Sequence, residues 1–385
     1  MKGKRIICSV LAMSMISTNC VFADQILSSK KVYTNVAQSV VVGDNGQVIY
    51  PDLTIDEATQ KAIAYSPTLK TIAENKEETD NSNESLTFSF HYSYDDGTVA
   101  STELNQQVAY NIRALNNALR SLDANDQIAK EGLRVSVEGL FNTIKAAQDD
   151  IALYEKDMVI QEKNIKIAEV KKNLGLMSQL EYDNTVNTYN TTVAEKQTLE
   201  ITVDSAFRSL NDVMGTDLNL KYNIVLDDVE YTPLGDVNLQ TSINKALLTK
   251  ESIKAKKDAV DLAYYDYKTY IPISTETGQN EKKRNAYNQA QRDYETEQTN
   301  VRTKMTNLYD NIVTAEKTYK DTKGSLDVLK SQHEVMKTQY ELGKATEVEL
   351  LTVEYNIAKA EAGIDKLVRG HKLMVEQFNN PDLIQ

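Results

Sequence analysis

Cysteine is confined to Cys8 and Cys20, tryptophan is absent, and only three histidines occur in 385 residues. Beyond residue 20, therefore, neither a disulfide nor a thiolate nucleophile or ligand is available. The histidines form no His-x-x-x-His pair. Gly-x-Ser-x-Gly and a phosphate-cradling glycine loop are also missing, which removes the commonest hydrolase and nucleotide-binding signatures. Acidic pairs such as Asp149-Asp150 and Asp227-Asp228 are present, but nothing in the sequence gathers them in a pocket. The expectation is a non-enzyme with no cofactor and no metal. Prolines number 5 and glycines 14, so long stretches run without a helix breaker. After the first residues no apolar run approaches the roughly 20 needed for a spanning helix. The net charge of −13, with no basic face and no aromatic-basic interleaving, argues against a nucleic-acid partner.

What is present begins with Met1-Lys2-Gly3-Lys4-Arg5, an apolar run from 6 to 16, and Val21-Phe22-Ala23 before Asp24. This reads as a signal peptide over 1–23 and an exported chain. Ser17-Thr18-Asn19 ahead of Cys20 lacks the pattern of a lipidation site. Residues 24–51 form an arm in which Ser39-Val40-Val41-Val42, Gly43-Asp44-Asn45-Gly46 and Gln47-Val48-Ile49-Tyr50 predict a short β-hairpin.

Repeat one occupies 52–214. Asp52-Leu53-Thr54 caps a short helix, and Ser66-Pro67 re-caps the chain before Leu69 and Ile72. From 86 to 94 the residues Leu86, Phe88, Phe90, Tyr92 and Tyr94 alternate with polar ones, which predicts a strand. From about 102 to 174 apolar positions recur at 3–4 spacing, a helix on the order of 100 Å long. A return helix follows from about 178 to 214. The linker 215–237 contains a strand candidate at 222–229. Repeat two, 238–379, predicts one helix over about 238–269 and a break at Tyr270-Ile271-Pro272. A second long helix and its return follow, with a tail at 380–385. Setting Ile55 on Leu239 and Leu174 on Leu342 shows that copy one holds extra residues in between. The predicted strand around 86–94 is the place for them.

The two tips carry the repeat. Leu174-Gly175-Leu176-Met177-Ser178-Gln179-Leu180 returns as Leu342-Gly343-Lys344-Ala345-Thr346-Glu347-Val348. Each is a helix stop followed at once by a helix start: glycine tolerates the left-handed conformation that ends one helix, and Ser or Thr caps the next. The fold class is mainly α, a tandem repeat of long antiparallel coiled-coil hairpins with short residual β segments.

Short helix, β segment, very long helix, glycine tip and return helix, done twice in an exported chain, resembles the TolC-like outer-membrane efflux and secretion channel family. The resemblance implies a homotrimer whose long helices form a hollow α-barrel and whose tips dock on a periplasmic adaptor (membrane fusion) protein serving an inner-membrane pump. Carried over, the docking residues are Gly175, Leu176 and Ser178 in copy one and Gly343, Lys344 and Thr346 in copy two. Acidic rings restrict ions near the tips in channels of this kind; the candidates are Glu181, Asp183, Glu347 and Glu349. The implied location is the cell envelope, in the outer membrane. One departure stands out: spanning strands need about 9 to 11 residues each, and copy two offers only a short irregular segment at 270–279. A barrel-reduced member, or a non-conducting coiled-coil envelope protein of the same fold, is the alternative.

Two features stay open. His333 and His371 lie on helix seams, and folding the hairpin about Gly343 sets His371 opposite roughly position 317, about 20 Å from His333 along the axis. They cannot share a metal within one subunit. Tyr264, Tyr265, Tyr267 and Tyr270 suit either helix packing or an interfacial aromatic belt.

Overall fold

The computed structural model describes residues 41–42, 48–91, 99–270 and 278–384. The expected signal segment and most of the arm lie outside the described residues. The predicted N-terminal hairpin is present: β1 (Val41–Val42) pairs antiparallel with β2 (Val48–Ile49). Strand β3 (Asp52–Thr54) follows and leads into helix α1 (Ile55–Tyr65). At the start of α1, Thr54 and Glu57 exchange side-chain to backbone bonds in a capping box. Ala58 and Ala62 are fully buried, and these small residues let α1 lie close against the shaft.

Helix α2 (Pro67–His91) starts where the Ser66 hydroxyl accepts the Leu69 N–H at 3.3 Å. It runs to the end opposite the tips. Helix α3 (Val99–Asn173) returns over 75 residues, and α4 (Gln179–Met214) completes the first hairpin. Strand β4 (Asn223–Val225) lies in the linker and pairs in parallel with β3, Leu53 opposite Ile224. The second copy comprises α5 (Leu239–Thr249), α6 (Glu251–Thr269), α7 (Gln279–Glu341) and α8 (Glu347–Asn379), closed by a 3-10 turn at Pro381–Leu383. Near the tips the helices lie side by side in the order α4, α3, α8, α7. Toward the other end the order is α2, α3, α6, α7.

Four expectations are corrected. The strand expected over 86–94 is helix as far as His91, and residues 92–94 lie outside the described residues. Helical spacing wins because α2 zips onto α3 through Lys76 to Asp123 at 2.5 Å and Asn83 to Asn116 at 2.8 Å. The extra residues of copy one are therefore helix: α2 has 25 residues against 19 in α6, and α3 has 75 against 63 in α7. The linker strand is shorter than expected, Asn223–Val225, because it matches only the three residues of β3. The helix expected over 238–269 is two helices broken at Lys250, which aligns with Ser66 in copy one. Lys250 has no hydroxyl to cap α6, and the tail supplies what is missing: Asp382 Oδ1 accepts the Glu251 N–H at 2.8 Å. Lys250 turns its ammonium onto the carbonyls of Pro381 at 2.7 Å and Ile384 at 3.2 Å, and burial holds its pKa below the ordinary lysine value.

Each copy has its own core. Leu53, Phe141, Ile144, Leu210 and Met214 form the first, and Ile243, Ile253, Met305, Ile312 and Phe378 the second. The copies meet along α3 and α8, where buried Glu138 accepts from Arg134 at 3.1 Å and from Lys372 at 3.0 Å, and Arg134 also pairs with Glu376. A carboxylate buried to this degree needs such partners.

Candidate functional site

Both tips are built alike, atom by atom. In the first, α3 ends with Leu176 N–H donating to Lys171 O at 2.8 Å and Gly175 N–H to Lys172 O at 2.9 Å, with Gly175 at φ 72°. In the second, Lys344 N–H donates to Gln339 O at 2.7 Å and Gly343 N–H to Tyr340 O at 2.9 Å, with Gly343 at φ 68°. These closures satisfy carbonyls that a helix end otherwise leaves bare. The next helix starts within three residues by a capping box. Ser178 N–H donates to Glu181 Oε2 at 2.8 Å, and Thr346 N–H donates to Glu349 Oε2 at 2.7 Å. The hydroxyls of Ser178 and Thr346 accept the Glu181 and Glu349 N–H groups in return.

Such rigid turns present their apolar side chains outward. Leu174 is 68% exposed, Leu176 75%, Leu180 70% and Leu342 64%. Around them stand Lys171, Lys172 and Lys344, with the Lys172 ammonium 4.0 Å over the Tyr182 ring. A compact turn with exposed leucines and lysines suits contact with another protein better than it suits solvent.

Each carboxylate considered for an acidic ring has a local partner. Glu181 and Glu349 serve the capping boxes, Asp183 accepts from Gln179 at 2.7 Å, and Glu347 pairs with Lys163 of the other hairpin at 2.9 Å. Backbone N–H and hydroxyl donors hold the Glu181 and Glu349 carboxyls below the usual carboxylate range. The unfolded chain therefore takes up protons first as pH falls. The caps contribute fully above about pH 4.5 and are lost as pH drops through the lowered folded values. Residue-resolved amide exchange between pH 6 and 3 is expected to show the first turns of α4 and α8 losing protection before their middles; simultaneous loss overturns this assignment.

Away from the tips, the sequence missed a polar latch. His371 is 2% exposed and lies 3.1 Å from Glu316, one residue from the position that hairpin folding indicated. The same Glu316 oxygen accepts the Leu234 N–H of the linker at 2.6 Å, while Tyr231 stacks on Tyr319 at 3.7 Å. Nearby, Arg369 donates to the Asp227 carbonyl at 3.2 Å. These bonds clamp the linker to the second hairpin. His333 instead faces Glu354 at 3.2 Å. Halfway along the shaft, burial raises the Asp150 pKa, and burial with a hydrogen bond to Glu195 pushes Tyr154 up to about 12. Among the described residues no three His, Cys, Asp or Glu side chains gather as metal ligands. Nor, among them, is any helix long and apolar enough to cross a membrane. The tyrosines at the far end pack on helix α7: Tyr264 and Tyr267 lie 5.3 and 6.4 Å from the Tyr287 ring.

No family model matches the sequence, and no curated protein matches it. Solved structures do match its fold. CusC, from work on folding and transmembrane channel formation, superposes with a TM-score of 0.63 at 11% identity, over 93% of this chain and 99% of that one. The outer membrane protein VceC of Vibrio cholerae gives 0.61 at 10% identity, covering 86% and 95%. The CmeC outer membrane channel of Campylobacter jejuni gives 0.60 at 10%, covering 86% and 85%. The fold is TolC-like. At these identities the likeness is one of fold, and it spans nearly the full length of each neighbour. Between α2 and α3 the chain runs through residues 92–98, and between α6 and α7 through 270–278. Either stretch is too short for two strands of about 9 to 11 residues each.

Proposed function

We propose that this chain is one protomer of an envelope exit duct for efflux or type I secretion, docking through its hairpin tips on a periplasmic adaptor protein that serves an inner-membrane pump. The observation that carries the reading is the pair of matching, solvent-facing tips on a fold shared with outer membrane channels. A rod that only spans a gap has no need to build the same exposed turn twice with the same caps. The docking residues in this reading are Gly175, Leu176, Ser178, Gly343, Lys344 and Thr346. In this reading the duct is a homotrimer; the helix edges α4 and α7, which near the tips have a long-helix neighbour on one side only among the described residues, leave room for further copies alongside. The neighbours are outer membrane channels, which supports a transport role over an enzymatic one.

A second reading, a non-conducting coiled-coil protein of the envelope, draws on the short connections at 92–98 and 270–278. Two spanning strands of about 9 to 11 residues each need more chain than either connection counts, which supports this reading. The location is then the envelope without a spanning barrel. Light scattering on the purified chain separates the two readings: three times the chain mass is expected for the duct, and a strict monomer at high concentration overturns it.

A further inference from the structure

We propose that residues 380–384 are a releasable strap, which fastens the start of α6 to the end of α8 in copy two and opens without the core beneath it opening. The two copies solve one local problem in different ways. At the break between α1 and α2, Ser66 caps the new helix from its own position. The matching residue between α5 and α6 is Lys250, whose side chain offers no acceptor, so the strap supplies one: the Asp382 carboxylate accepts the Glu251 N–H. Copy one is thus fastened locally, and copy two by a segment 131 residues away in the chain.

Few bonds hold the strap, and they converge on one residue. Pro381–Leu383 is a single 3-10 turn, closed by Leu383 N–H to Asn380 O and Ile384 N–H to Pro381 O, each at 3.1 Å. The Lys250 ammonium, in a residue only 8% exposed, donates to the carbonyls of Pro381 and Ile384 and so grips both ends of that turn. Pro381 and Leu383 are buried, and Ile384 rests half-buried against core two. Just before the turn, Asn379 and Asn380 are exposed and give another protein or a protease access to the segment. A short segment held this way belongs to the low end of local stability. Helix α6 also ties α3 to α7 toward the far end, through Arg120 with Asp258 and Asp266 with Lys283. Withdrawing the strap therefore loosens this arm in copy two and leaves α2 of copy one as it is. A single chain suffices for the device, whatever the copies assemble into.

Amide exchange of the full chain in sub-denaturing urea tests the strap. The Leu383, Ile384 and Glu251 N–H groups are expected to exchange through one opening that urea barely accelerates, while the Met305 N–H of core two follows global unfolding. One urea slope shared by all four would mean that strap and core open together, and it overturns the proposal. Two substitutions separate the hold on the strap from the cap it provides. Asp382→Ala is expected to speed exchange at Ile253 and Lys254, whose N–H groups bond to the Lys250 carbonyl at 3.1 Å, by about tenfold, the size of a lost helix cap. Lys250→Ser is expected to speed Leu383 and Ile384 by about tenfold or more, because a charged donor is lost. It is expected to leave Ile253 and Lys254 protected, since the new hydroxyl caps α6 as Ser66 caps α2. The first turn of α2 stays unchanged in both variants. If both substitutions accelerate all of these amides alike, the chain is merely destabilised and the strap is overturned as well.

Discussion

Gly215→Ala is expected to destabilise the protein by about 2–5 kcal/mol, the sum of a left-handed alanine and an overpacked contact. Gly215 ends α4 at φ 67°, and a Cβ there would sit 2.2 Å from Tyr65 Cγ and Cδ2. Nothing nearby yields cheaply. Tyr65 is the last residue of α1, and the α4 end is tied by Asn211, fully buried, which donates to Leu220 O at 2.8 Å and accepts from Thr216 at 3.1 Å. Gly235 provides the control: its φ is 78°, but a Cβ there meets nothing within 4 Å. Gly235→Ala therefore carries only the backbone cost, about 1–2 kcal/mol. Urea denaturation of both variants decides the matter, and equal losses would show that the Tyr65 approach is not what requires glycine.

The sequence showed the long helices and tips because their signals are local and redundant. A seam of apolar residues repeated over tens of positions tolerates individual exceptions, and a Gly followed by Ser or Thr then Glu encodes both a stop and a start. What it hid depends on contacts between distant segments. Leu86, Phe88 and Phe90 alternate as a strand would, yet the backbone follows the positions that face α3, Lys76 and Asn83 among them. Alternation over a few residues is a weak claim against a partner helix already in place. The same holds for β3. Asp52-Leu53-Thr54 has no strand pattern of its own and becomes one because Asn223–Val225 arrives alongside from the linker.

The break at Lys250 shows a third limit. In copy one, Ser66 and Pro67 announce the re-start, whereas Lys250 is a poor cap on its own and works because Asp382 arrives from the far end of the chain. The linker latch is an intermediate case. The hairpin geometry placed His371 beside the right turn of α7, but the third participant, the Leu234 N–H, belongs to a segment whose path no periodicity describes.

Gly175→Arg with Gly343→Arg is expected to abolish adaptor docking and export while leaving helix content and assembly unchanged. The reasoning reverses that for Gly215. Both tip glycines have positive φ, but a Cβ at either meets nothing within 4 Å, so the interior registers only the backbone cost. That cost is about 1–2 kcal/mol per site and falls on a turn already fixed by two closing bonds and a capping box. The new side chains are added to the turns that carry exposed Leu174, Leu176 and Leu342, the surface that an adaptor hairpin would meet in the exit-duct reading. Gly175→Asn with Gly343→Asn separates shape from strain, because Asn accepts the left-handed conformation and adds little bulk. Export is expected to survive in the Asn pair and to fail in the Arg pair, read together with co-purification of the adaptor and the circular dichroism of each variant. Normal export by the Arg pair would mean that the tips turn the chain and nothing more.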